Sequence, residues 1–152
     1  MEPITSALLI LCVIALAVTQ IPTDIRYKQL SRRSTLTGLF AVCGVMVADS
    51  FVSQSLGNLT IAILGCSVVL AIYVSLNRLA PHALGFGDVL LVVPLSLALS
   101  YTSMSSLAYW QMLAAISGSI HATIVRLRCG DRTIPFGPHL LLAAIAVLIV
   151  SV

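Results

Sequence analysis

Five acidic residues stand in this chain of 152, and two of them, Asp24 and Asp88, each sit at the edge of a long apolar run. A carboxylate is expensive to desolvate there, by about 2.5 to 3.5 kcal/mol at the centre of a membrane span and less near its boundary. Two carboxylates brought close together cannot both ionise easily, so one keeps a proton while the other stays charged. That state suits the splitting of water across a peptide bond. The ionised member draws a proton from water, and the protonated member donates to the carbonyl oxygen. The competing reading pairs Asp24 and Asp88 with neighbouring arginines such as Arg26 or Arg78 in structural ion pairs.

Local sequence gives these acids a setting. Gly85-Phe86-Gly87-Asp88 puts two residues without side chains just ahead of the second acid, which lets another backbone approach the mouth of a helix. Alone, this is also how a flexible loop enters a helix, with Asp88 near the positive dipole end. Ile134-Pro135-Phe136-Gly137-Pro138, directly before the last apolar run, cannot be a regular helix interior. It is either a rigid turn or a shaped wall of the same cavity.

The elements that must position these residues follow from composition. The chain is 59% hydrophobic and 9% charged, with a mean hydropathy of +1.10, against about 25% charged residues in soluble domains. An ordinary soluble globule and a disordered chain are both excluded. The net charge of +3 is too small to suggest a nucleic-acid binder. At about 20 residues per span, six spans take roughly 120 residues and leave about 30 for ends and connections. Apolar runs fall at 4–21, 36–52, 59–76, 89–99, 107–125 and 140–152. The first, third and fifth are clear helices by length; the fourth and sixth are short and need flanking residues to span. Breakers lie at 53–58, 77–87, 100–106 and 126–137. The expected fold is all-α: a bundle of six transmembrane helices forming one membrane-embedded domain over residues 1–152.

The eight basic residues orient it. Arg26, Lys28, Arg32 and Arg33 follow the first run, Arg78 the third, and Arg126, Arg128 and Arg132 the fifth. Cytoplasmic loops collect Lys and Arg, so both termini are expected outside and the odd-numbered connections inside. Two spans separate Asp24 from Asp88, which puts both at the cytoplasmic boundary. Glu2 and Asp49 fall toward the outside, where Asp49 reads as a solvated or helix-capping residue. Asp131, among Arg128, Gly130 and Arg132, reads as a solvated charge. Tyr101, Tyr109 and Trp110 cluster at the outer boundary and Tyr27 at the inner, as interfacial anchors.

Cys12, Cys43, Cys66 and Cys129 contain no close CxxC pair and read as small apolar side chains. Cys129, His82 and His139 share one side, but their spacing presents no preformed tetrahedral metal site. Ala15-Leu16-Ala17 imitates a signal-peptide cleavage site, yet no basic residue precedes the apolar core, so the first run is kept as a permanent helix.

Taken together, Asp24, Gly85-Phe86-Gly87-Asp88 and Ile134-Pro135-Phe136-Gly137-Pro138, in that order and with this topology, resemble the type IV prepilin peptidases, membrane aspartic proteases of the GxGD kind. The resemblance implies a catalytic pair, Asp24 and Asp88, acting without metal or other cofactor. It implies prepilin-like precursors as partners, cut at the cytoplasmic membrane face between a short basic leader and an apolar helix. Gly85 and Gly87 would admit substrate backbone, and Pro135, Gly137 and Pro138 would shape the opposite wall. Two positions depart from the pattern: Leu30-Ser31-Arg32 stands where an Ile-Pro-Asn-like segment is common, and Leu90 where Lys is frequent. Larger relatives carry a cysteine-paired cytoplasmic domain and a methylating activity. This chain has neither the room nor the cysteine pairs, so it resembles a short, peptidase-only form. The competing class is a non-enzymatic membrane protein whose intramembrane acids carry ions or hold a bundle together. Gly38, Gly44 and Gly118 suit helix packing under either reading.

Overall fold

A computed structural model of the chain describes residues 3–27, 30–79, 85–129 and 136–151. These residues form six helices: α1 (Pro3–Tyr27), α2 (Arg32–Ser53), α3 (Gly57–Leu79), α4 (Phe86–Thr102), α5 (Met104–Cys129) and α6 (Gly137–Ser151). The fold is all-α. α1, α2 and α3 are long and apolar enough to cross a membrane, and α4 and α6 are shorter apolar helices. α5 is a helix of 26 residues, as expected for the fifth run from its length, but its serines, Gln111 and His121 make it more polar than the first three.

The helix boundaries have local causes. Ser31 caps α2 with extended backbone and accepts a hydrogen bond from the Ser34 amide. α2 ends at Gln54, whose φ of 51° is the left-handed turn that releases the chain. Between α4 and α5 the expected connection over 100–106 shrinks to Ser103 alone. The Ser100 and Thr102 hydroxyls are absorbed into α4 by bonding back to the carbonyls of Ser96 and Ala98, at 2.6 and 3.1 Å. Ser103 then caps α5 by accepting from the Ser106 amide at 3.0 Å.

α4 is the hub. From Asp88 to Tyr101 it is buried almost throughout, the pattern of a helix apolar on all sides and surrounded by others. It packs on α3, α2, α5 and α6, whereas α1 packs on α2 and α6 and scarcely touches α4. α1 and α4 therefore face each other across a frame made by α2 and α6. The outward faces carry exposed Leu8, Leu11, Phe40, Phe51, Ile63 and Val68, a surface suited to hydrocarbon rather than water.

Two expectations about polar side chains are corrected. Tyr101 and Trp110 are 2% and 0% exposed, so they are core residues and not interfacial anchors. Each finds an internal partner for its polar atom, as buried Tyr and Trp require. The Tyr101 hydroxyl donates to Asp49 Oδ2 at 2.5 Å, and Trp110 Nε1 donates to the Leu140 carbonyl at 2.9 Å. Asp49 is 8% exposed and also accepts from the Thr5 hydroxyl; it is a buried acceptor, not a solvated or capping group. Tyr109 and Tyr27 remain exposed.

α3 meets α4 closely at Gly65, where an added Cβ would collide with Ser100 Oγ and stand 2.9 Å from Ser100 Cβ. Gly65→Val should separate the two helices and cost about 1–3 kcal/mol, read as a lower midpoint of thermal unfolding in detergent. An unchanged midpoint would show that the contact does not hold α3 to the hub.

Candidate active site

Asp24 stands near the end of α1, two residues after Pro22, which lacks the N–H for one helical hydrogen bond and loosens this last stretch. One turn earlier Gln20 is fully buried. Its Nε2 donates to the Ser31 carbonyl at 2.9 Å and to Thr35 Oγ1 at 2.8 Å, while its Oε1 accepts from the Ser31 amide at 2.9 Å. A single side chain thus fastens the end of α1 to the start of α2 and aims the following turn.

Asp88 lies in the first turn of α4, with Gly85 as the N-cap. Its carboxylate reaches back to the Gly85 backbone amide, the reciprocal half of a capping box made with an acid. An added Cβ on Gly85 would lie 3.4 Å from Asp88 Oδ2, and one on Gly87 would lie 3.1 Å from Leu30 Cβ. The two glycines thus let Asp88 fold back and Leu30 close over the helix start.

Asp24, Leu30, Arg32, Gly85, Phe86, Gly87 and Asp88 line one cavity of about 410 Å³. Both carboxylates belong to buried residues, 5% and 8% exposed, and they are near enough to repel electrostatically. The Gly137 backbone amide at the start of α6 faces Asp24, yet Asp24 Oδ2 is buried with no hydrogen-bond partner among the described residues. Neither acid is ion-paired among the described residues, and Arg26 and Arg78 are exposed. Among the described residues, the cation on the cavity wall is Arg32.

The structure brings Asp24, Gly85, Gly87 and Asp88 to one cavity and sets Gly137 directly against Asp24. Pro138 follows Gly137 in the first turn of α6 and does not line the cavity. Pro135 lies outside the described residues. The departures from the family pattern have local roles. Leu30 forms the wall against Gly87 and Gly137, Ser31 caps α2, and Arg32 adds the positive charge. Sequence reasoning passes over Gln20, although a polar residue one turn before Asp24 in an apolar helix is the kind of signal that marks a functional site.

The long apolar helices suggest an integral membrane protein, and two of its buried carboxylates line one cavity. Residues 7–152 match the type IV leader peptidase family, and the chain belongs to that family. It is a protease of the prepilin peptidase type, and its substrates are prepilin-like precursors. No curated protein and no solved structure matches the chain.

Gly137 offers a direct probe of the cavity, because a Cβ there would stand 2.6 Å from Asp24 Oδ2 and 3.3 Å from Leu30 Cδ2. Gly137→Ala should displace the carboxylate and lower the rate of precursor cleavage by about tenfold or more. Gly44→Ala, where a Cβ meets nothing within 4 Å, should leave the rate as it was. Equal rates for Gly137→Ala and the parent would mean that the Asp24 position has no bearing on cleavage.

Proposed function

We propose that this chain is an aspartic endopeptidase, a single membrane-embedded domain over residues 1–152, that removes the basic leader of prepilin-like precursors. The observation that carries the reading is the convergence of two buried carboxylates, from α1 and α4, on one cavity. Asp24 Oδ2, without a partner among the described residues, gives a water molecule an acceptor there. The low-dielectric surroundings make sharing one proton favourable over double ionisation.

In the proposed reaction the ionised carboxylate takes a proton from water as the water oxygen attacks the scissile carbonyl carbon. The protonated carboxyl gives its proton to the carbonyl oxygen, and a neutral tetrahedral diol forms. The carboxylate that gave its proton then takes one from a hydroxyl of the diol, the carboxyl that took the water's proton gives it to the amide nitrogen, and the C–N bond breaks to release the amine and the new carboxylic acid, restoring the starting pair. No covalent enzyme intermediate forms. Gly85 and Gly87 leave space for substrate backbone at the mouth of α4, and Gly137 forms the wall behind Asp24. The distribution of the basic residues supports placing this end of the bundle at the cytoplasmic face of the bacterial inner membrane, with both termini outside.

The test is cleavage of a purified prepilin in detergent by the parent chain and by Asp24→Asn and Asp88→Asn. Each substitution keeps shape and removes an acid, and each should lower the rate by about 100- to 10,000-fold. The parent should show a bell-shaped pH–rate profile from the coupled pair and should be indifferent to chelators. Full activity in either variant would remove that aspartate from the mechanism.

A further inference from the structure

The outer half of the bundle holds a third buried acid that the reaction does not use. Asp49, on α2, accepts one hydrogen bond on each carboxylate oxygen: Oδ1 from the Thr5 hydroxyl of α1, and Oδ2 from the Tyr101 hydroxyl of α4 at 2.5 Å. The Tyr101 hydroxyl is also 3.4 Å from Ser50 Oγ and from the Met46 carbonyl. Thr5, Asp49, Ser50 and Tyr101 are all buried.

The two donors come from the two helices that carry Asp24 and Asp88. Thr5 precedes Asp24 by 19 residues on α1, and Tyr101 follows Asp88 by 13 on α4, so the cluster lies about 28 Å and 20 Å of helix from the acids at 1.5 Å per residue. α1 and α4 scarcely touch each other, so little between their own surfaces fixes their relative depth or spacing. The helices that pack on both, α2 and α6, have to do it, and the polar ties among these side chains run through α2. At the cavity end Gln20 ties α1 to α2, and at the far end Asp49 ties both α1 and α4 to the same α2 residue. Hydrogen bonds to a carboxyl acceptor are directional, and a dry surrounding strengthens them. An apolar trio of the same shape would fill this space nearly as well. What a shared polar acceptor adds is register, a use well attested for buried polar groups.

We propose that Asp49, with Thr5 and Tyr101, is a positioning cluster. It indexes α1 and α4 to α2 and thereby sets where Asp24 and Asp88 meet. This rests on the hydrolytic reading of that pair. The role belongs to the hydroxyls and not to the bulk of the side chains, and that is what separates positioning from packing.

The experiment compares kcat and KM of the full chain, in detergent, on a peptide that joins a short basic leader to an apolar helix. Thr5→Val keeps the shape of Thr5 and loses the donor; Thr5→Ser keeps the donor and loses a methyl group. Thr5→Val and Tyr101→Phe should each lower kcat by about ten- to a hundredfold, the scale of a displaced reacting group, with KM unchanged. Thr5→Ser should stay close to the parent. If packing were the role, Thr5→Val would be silent and Thr5→Ser impaired, and that order overturns the proposal. So does parental kcat in both donor-less variants. In the triple variant Thr5→Val, Asp49→Leu, Tyr101→Phe, apolar groups replace the whole cluster. It should fold and still have a low kcat. Parental kcat there, or failure of every variant to purify as folded protein, overturns the positioning role. Asp24→Asn and Asp88→Asn are run alongside. If they cleave as the parent does, the hydrolytic reading falls, whereas their inactivity beside a fully active Thr5→Val removes the tether alone.

Discussion

The structure is organised around bringing two carboxylates out of water and into each other's field. An isolated buried carboxylate is costly, and two near one another are costlier still, so the rest of the molecule must hold Asp24 and Asp88 where neither can relax away. α4 accomplishes half of this by being enclosed. It is packed by α3, α2, α5 and α6, and its first turn sets Asp88 against its own N-cap. α1 accomplishes the other half from the opposite side of the α2 and α6 frame, with Gln20 clamping the turn before Asp24.

Glycine placement is the counterpart of that rigidity. Gly137 and Gly87 are crowded by Asp24 and by Leu30, so the helix starts of α4 and α6 approach the acids closely because no side chains intervene. Gly118 has a similar role farther from the acids, where an added Cβ would collide with the Phe136 ring. Phe136 in turn precedes the helix whose first residue touches Asp24. The stretch from Phe136 to Gly137 is therefore shaped from both sides, by α5 behind it and by the acid in front. The outer surface, by contrast, is apolar and loosely specified, as a hydrocarbon solvent permits.

The sequence puts Asp24 and Asp88 at the same end of the bundle because span counting is a parity argument, and parity survives errors of several residues at each helix end; parity alone leaves ion pairs with Arg26 or Arg78 open. Gly85 and Gly87 draw notice because they stand just ahead of an acid at a helix mouth, and Gly137 because it lies between two prolines before the last apolar run, its place beside the acids being implied by the family resemblance. The partners of the buried hydroxyls are not legible. Asp49 looks solvated when read by its distance from a helix end, and Tyr101 and Trp110 look interfacial when read by type. Which way each faces depends on helix rotation within the bundle, and an apolar run without strong amphipathicity leaves that unspecified. The segment from Ser100 to Ser106 resembles a loop by composition, but its hydroxyls bond back onto the helix and extend it. α5 shows the converse. Its length suggests a clear span, while its polar residues serve internal contacts such as Tyr73 with Gln111, at 3.1 Å, and His121 with His139, at 2.8 Å.

The most direct test of the central claim is a crosslink. With Cys12, Cys43, Cys66 and Cys129 replaced by Ala, the double variant Asp24→Cys, Asp88→Cys is treated in sealed inner-membrane vesicles with a short bifunctional thiol reagent and with an impermeant label applied to either side. Convergence of the two acids at the inner face predicts rapid intramolecular crosslinking and labelling of both positions from the cytoplasmic side alone. Labelling from opposite sides, or absence of any crosslink in folded protein, would contradict it.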